Sequence, residues 1–143
     1  MKEYLSYSEN DTMKIAEEIC SLIPAGTVVA FSGGMGMGKT VFVRSCVKAL
    51  GVDADVSSPT FSIVNDYGGD INLYHFDMYR VESWDSLYST GFFDYMNDNS
   101  ILFIEWSENI ENVLPENTVY VNFTRCENDN ERKIEISGGD GRW

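Results

Sequence analysis

The eight residues Gly33-Gly34-Met35-Gly36-Met37-Gly38-Lys39-Thr40 fit the pattern G-x-x-x-x-G-K-[ST], and no other stretch limits the possible folds as strongly. The pattern needs a strand before it and a helix after it. Its glycines let backbone N–H groups turn inward as an anion nest, its lysine can reach the outer phosphates of a nucleoside triphosphate, and its hydroxyl can meet a Mg²⁺ ion. Both flanks agree with that use. Thr27 to Ser32, T-V-V-A-F-S, has the composition of a short buried central strand. After Thr40, the residues Val41, Phe42, Val43, Cys46, Val47 and Leu50 recur at helical spacing, and Gly51 is placed to close the helix. A glycine loop with a purely structural role explains neither the Lys-Thr pair nor the two flanks.

The remaining elements follow from periodicity and turn chemistry. Ser8 stands as N-cap before Glu9 and Asp11, and an apolar stripe of Met13, Ile15, Ala16, Ile19, Cys20 and Ile23 predicts a helix over 9–23, stopped by Pro24 and Gly26. Ser57-Ser58-Pro59-Thr60 reads as a turn running into a strand that ends near Tyr67. Gly68-Gly69-Asp70 then reverses the chain into Ile71 to Phe76, so the pair is expected to form an antiparallel hairpin. Residues 84–93 look helical with a break at Gly91, and Asp94-Tyr95 opens a short helix or loop. Ile101 to Ile104 forms an apolar run that ends on Glu105. A brief helix before Pro115 and two alternating strands, 119–123 and 133–136, complete the chain, with Ser137 to Trp143 read as a frayed tail.

With 143 residues, of which 43% are hydrophobic, the chain is expected to be one domain with one core. Ten basic residues against 23 acidic ones give a net charge of −13, which opposes extensive contact with nucleic acid and suits either a partner with a basic face or plain solubility. Cys20, Cys46 and Cys126 form no C-x-x-C pair, so neither a zinc site nor a disulfide framework is expected. The N-terminus resembles neither a signal peptide nor a membrane span, which points to the cytoplasm.

Chemistry concentrates at two strand ends. Thr40 and Glu105 are the candidate metal ligands, because an apolar strand ending in a carboxylate is how a nucleotidase completes its metal site. Asp77 is the leading candidate to orient water at the γ-phosphate, and Thr60 is a candidate γ-phosphate sensor. Each has a rival. Asp77 and Arg80 could pair as a salt bridge, the single histidine His75 leans towards a structural role, a lone acid such as Glu105 could be a solvated loop charge, and Trp106 could be core or could pack near the nucleotide.

Taken together, Gly33 to Thr40, Ser58-Pro59-Thr60-Phe61 with Tyr67, His75-Phe76-Asp77-Met78-Tyr79-Arg80, Gly91 with Asp94-Tyr95, and Ile104-Glu105-Trp106 resemble the TsaE family in order and over residues 12–114. The resemblance implies a single-domain α/β P-loop NTPase over residues 1–143, with a mixed central sheet flanked by helices. It implies a Mg²⁺-dependent ATPase that works with the TsaD and TsaB proteins in making threonylcarbamoyladenosine on tRNA, its hydrolysis resetting their complex. It puts Gly33, Gly36, Met37, Gly38, Lys39, Thr40 and Val41 on ATP, Thr40 and Glu105 on Mg²⁺, Trp106 beside them, Thr12 and Arg132 near the base, and Asp77 with Lys39 in catalysis. The chain departs from the family at Gly34, where an acidic residue or Asn is usual, and at Val41, where a hydroxyl is usual; the expected consequence is retained phosphate binding with hydrolysis that is slower or less sensitive to the partner proteins. A small-molecule kinase and a nucleotide-sensing interaction protein use the same loop, but the 10 Lys and Arg do not cluster in a lid-like segment as a kinase would need.

Overall fold

A computed structural model describes residues 1–34, 36–57, 64–139, 141 and 143. Their elements are β1 (Lys2–Ser6), α1 (Glu9–Cys20), β2 (Thr27–Ser32), α2 (Lys39–Ala49), β3 (Val64–Gly68), β4 (Asn72–Asp77), α3 (Trp84–Ser89), α4 (Phe92–Tyr95), β5 (Ser100–Glu105), a 3₁₀ segment Ser107–Val113, β6 (Val119–Arg125) and β7 (Arg132–Gly138). The strands form one seven-stranded sheet in the order β1-β7-β6-β2-β5-β4-β3. β6, β2, β5 and β4 run parallel in its middle, while β1/β7, β6/β7 and β3/β4 pair antiparallel. This is the mixed sheet the resemblance implied. Strands buried on both faces carry unbroken apolar runs, and β2 and β5 do so: T-V-V-A-F and S-I-L-F-I are buried throughout.

Helix α1 shows how the sequence sets the packing. The Ser8 hydroxyl accepts the Asp11 N–H at 3.1 Å and the Asp11 carboxylate accepts the Tyr7 N–H at 3.0 Å, so the first turn is capped from both sides. Thr12, Ile15, Ala16, Ile19 and Cys20 are buried, one face of a 3.6-residue period. That face meets α2, where the Cys20 thiol reaches the Cys46 carbonyl at 3.6 Å and the Cys46 thiol reaches the Ala16 carbonyl at 3.7 Å. Burial pushes the Cys46 thiol well above its ordinary range, so it behaves as a small apolar side chain. The helix ends at Cys20, three residues before the expected end at Ile23. Ile23 is buried all the same, in the turn that follows, which is why it reads as part of the stripe.

The opposite face of the sheet is covered by α3, α4 and the 3₁₀ segment, which bury Leu87, Phe92 and Ile110 against Phe76, Leu102 and Ile104. Gly91 breaks the helical run where expected, in the left-handed region.

One terminal expectation needs correction, and one strand goes unannounced by the sequence. Lys2–Ser6 is an edge strand paired on one side only, with burial largely restricted to Ser6, so no apolar alternation marks it. The segment read as a frayed tail starts inside β7, and the Trp143 indole N–H donates to the Gly138 carbonyl at 3.0 Å. Gly138 has φ +80°, and a Cβ there would collide with the Thr118 carbonyl. Gly138→Ala is therefore expected to cost about 1–3 kcal/mol, from backbone strain and displacement of β6. A thermal melt reads this directly, and an unchanged midpoint would refute the close approach.

Candidate nucleotide site

The sheet topology gathers the site. In an open sheet, ligands bind beyond the carboxyl ends of parallel strands. β2 ends there in the glycine loop, β4 in Asp77 and β5 in Glu105. β1 runs parallel to β6 through β7, so Ser6 and the following Tyr7 and Ser8 reach the same edge, as does Arg132 at the start of antiparallel β7. A cleft of about 1010 Å³ opens there. It is lined by Thr12, Gly36, Met37, Gly38, Lys39, Thr40, Val41, Asp77, Glu105, Trp106 and Arg132, all singled out from the sequence. Ser6, Tyr7, Ser8, Glu9, Tyr79 and Asn130 line it as well and were not foreseen. Only the position of β1 could have pointed to the first three. Gly33 is not part of the lining; it enters through its carbonyl. Thr60 lies outside the described residues.

The loop is pinned against β6. Gly33 has φ +121°, and a Cβ there would lie 2.7 Å from the Phe123 carbonyl oxygen. Phe123 in turn packs edge-on against Phe42 of α2, at 6.0 Å between ring centroids. Only glycine at position 33 permits that approach. Gly38 caps α2 without a side-chain hydrogen bond, so the first amides of the helix stay available to an anion at the positive end of the helix dipole.

Lys39 is 5% exposed. Its ammonium donates to the Gly33 carbonyl at 2.9 Å and lies 4.8 Å from the centroid of the Trp106 ring. Among the described residues, no carboxylate forms an ion pair with it. Among the described residues, a carbonyl and a ring face are what hold this buried cation, an electrostatic under-compensation that a polyanion would relieve. Trp106 adopts φ +59°, the one non-glycine residue with positive φ among those described, and its ring also packs on Tyr79 at 4.9 Å. It is thus a wall of the cleft and not plain core.

Asp77 and Glu105 are register partners on adjacent parallel strands, so their side chains leave the same face of the sheet. The Asp77 carboxylate accepts the Tyr79 N–H at 2.9 Å, while Arg80 is exposed. No Asp77–Arg80 ion pair forms among the described residues, which removes the salt-bridge rival. Glu105 is 5% exposed and accepts a hydrogen bond from the His75 ring at 2.6 Å, so it is no solvated loop charge. Thr12 bonds Ser6 hydroxyl to hydroxyl at 2.7 Å, tying α1 to β1 beside Gly38. The Arg132 guanidinium donates to the Asp129 and Glu131 carbonyls, which fixes it at the β6–β7 turn.

A buried parallel strand, a glycine loop held against the sheet and a helix presenting free amides around a buried lysine define a P-loop protein. A family model described as "Threonylcarbamoyl adenosine biosynthesis protein TsaE" matches residues 6–134, and the chain belongs to that family. Among the curated relatives, the tRNA threonylcarbamoyladenosine biosynthesis protein TsaE of Treponema pallidum is 32% identical over 133 residues, 93% of this chain and 98% of its own. That of Bacillus subtilis is 30% identical over 99% of this chain and 88% of its own, and that of Aquifex aeolicus is 41% identical over 76% and 78%. The crystal structure of Bacillus subtilis YdiB superposes with a TM-score of 0.78 at 27% identity, covering 96% of this chain and 84% of that one. Family membership makes the chain a component of tRNA threonylcarbamoyladenosine biosynthesis. No helix among the described residues is long and apolar enough to cross a membrane.

Proposed function

We propose that residues 1–143 act as one cytoplasmic P-loop ATPase domain that binds ATP with Mg²⁺ and, by hydrolysing it, drives assembly and reset of the TsaD–TsaB pair. The observation that carries this reading is the buried Lys39 ammonium, unmatched by any carboxylate among the described residues, at the mouth of a free helix N-terminus. The amides of Gly33, Gly36, Met37, Gly38, Lys39, Thr40 and Val41 and the Lys39 ammonium take the phosphates. Thr40 and Glu105 hold the metal, their hydroxyl and carboxylate oxygens being the hard donors that Mg²⁺ takes. When bound, the ion neutralises charge on the β- and γ-phosphate oxygens.

Asp77, fixed by the Tyr79 N–H beside Glu105, orients the attacking water and accepts its proton as the γ-phosphoryl group passes to that water, leaving ADP and phosphate. Thr12 and Arg132, which line the cleft, would meet the base, and Trp106 would flank the phosphates beside Lys39. The net charge of −13 fits a protein that meets the modifying enzymes and makes no extensive contact with tRNA.

The test is phosphate release from ATP by the chain alone and with TsaD and TsaB, run beside ATP binding. Binding with partner-stimulated release supports the proposal. Binding with no release in either condition would leave a nucleotide sensor and sink the ATPase.

The departures at Gly34 and Val41 give a second expectation. A Cβ at Gly34 meets nothing within 4 Å, so the family's side chain is not excluded by space. Gly34→Asn is expected to change stability by less than about 0.5 kcal/mol. Combined with Val41→Thr, it is expected to speed phosphate release in the presence of both partners. A double variant no faster than the parent would show that these positions do not limit turnover.

A further inference from the structure

His75 is fully buried, yet it sits on the face of β4 that leads to the cleft. Alternation along β4 sends Leu73, His75 and Asp77 to one side, and their register partners on β5 are Ile101, Phe103 and Glu105. The imidazole therefore lies one pair behind the two carboxylates and reaches diagonally forward, its Nε2 to 2.6 Å from Glu105 Oε2. Its other nitrogen, Nδ1, is 2.8 Å from the Tyr67 hydroxyl. Tyr67 reaches it from an irregularity: the β3/β4 register shifts between Asp66 and Gly68, making Tyr67 the extra residue of a bulge. Bulges re-aim side chains, often next to functional sites.

Among the described residues, the Tyr67 hydroxyl lies 2.8 Å from Nδ1 and 3.3 Å from the Ser57 carbonyl. Burial raises the phenol above its ordinary range, so it keeps its hydrogen at neutral pH. On the other side the Glu105 carboxylate can only accept, so Nε2 carries a hydrogen and donates to it, which leaves Nδ1 to meet the Tyr67 hydroxyl. A buried imidazole is costly unless both nitrogens are satisfied, and a core with no need for this arrangement could use Leu or Phe instead.

The geometry points to His75 as a positioning residue: locked between the Tyr67 hydroxyl and Glu105, it fixes the plane of the Glu105 carboxylate so that the cleft presents it to Mg²⁺. This rests on Glu105 being a metal ligand. Groups that orient a ligating carboxylate typically matter by about 10–100-fold in metal affinity.

The test compares His75→Asn with His75→Gln in the full chain. A Gln amide can reach the place of Nε2 and donate to Glu105, whereas the Asn amide is one methylene short. MgCl₂ is titrated into each variant with ADP present, followed by calorimetry, and ADP binding is measured again in EDTA. His75→Asn is expected to weaken the Mg²⁺ dependence by about 10–100-fold, His75→Gln to recover most of that loss, and binding in EDTA to stay at the parent level. Tyr67→Phe, which leaves the imidazole in place and removes the hydroxyl that orients it, is expected to move the Mg²⁺ dependence in the same direction by a smaller factor. It serves if a His75 variant fails to fold. Parent-like Mg²⁺ dependence in folded His75→Asn or in Tyr67→Phe, or equal losses in His75→Asn and His75→Gln, would overturn the positioning role. If Glu105→Gln also left the Mg²⁺ dependence unchanged, the metal-ligand reading itself would fail.

Discussion

Replacing Lys39 with Met is expected to weaken ATP binding by about 100-fold or more while leaving the fold intact. The estimate follows from the interactions lost: each charge-assisted hydrogen bond to a phosphate oxygen contributes about 1.5–3 kcal/mol, and about 1.4 kcal/mol is tenfold in affinity. Met keeps the apolar stem that packs under Trp106 and removes only the ammonium. Without nucleotide, two effects oppose each other. The variant no longer buries an under-compensated charge, but the Gly33 carbonyl loses its 2.9 Å donor. Both are worth about 1–3 kcal/mol, so the melting temperature of the nucleotide-free protein is expected to stay close to the parent's. Calorimetric titration with ATP and a thermal melt decide the matter. ATP affinity within a few-fold of the parent would mean that the buried ammonium serves the loop and not a phosphate.

Asp77 carries the second large effect. Asp77→Ala is expected to lower phosphate release by roughly 10²–10⁴-fold, the range for loss of a positioned general base, with ATP binding changed little. Ala also removes the acceptor of the Tyr79 N–H, and Tyr79 packs against Trp106, so a loss in Ala alone could come from a displaced cleft wall. Asp77→Asn separates the two causes. Its amide oxygen still accepts that N–H, but it cannot take a proton from water. Both variants are expected to be equally slow; an Asn variant that turns over like the parent would make Asp77 a structural cap.

The sequence discloses the parts of this site that depend on local chemistry and hides those that depend on distant pairing. β2, the glycine loop and α2 are legible because a buried parallel strand, an anion nest and an amphipathic helix each leave a pattern within a few residues. Asp77 and Glu105 are recognisable as carboxylates at strand ends. That they are register partners is not, since parallel strands 28 positions apart carry no local mark of their alignment. β1 is hidden for a different reason: an edge strand needs no apolar alternation, yet it brings Ser6 to Ser8 into the cleft. His75 reads in the sequence as a lone histidine beside a buried strand, while its two partners come from a bulge in β3 and a carboxylate on β5, neither adjacent to it in sequence.

The cleft is expected to hold ATP with its metal between Thr40 and Glu105. A crystal structure of the chain with a non-hydrolysable ATP analogue and Mg²⁺ tests it most directly. The expected result is a γ-phosphate against the Lys39 ammonium and a Mg²⁺ about 2.0–2.1 Å from the Thr40 hydroxyl oxygen, with Glu105 bound to the ion or to one of its waters. A nucleotide whose phosphates lie away from Lys39, or a metal with no path to Glu105, would contradict it.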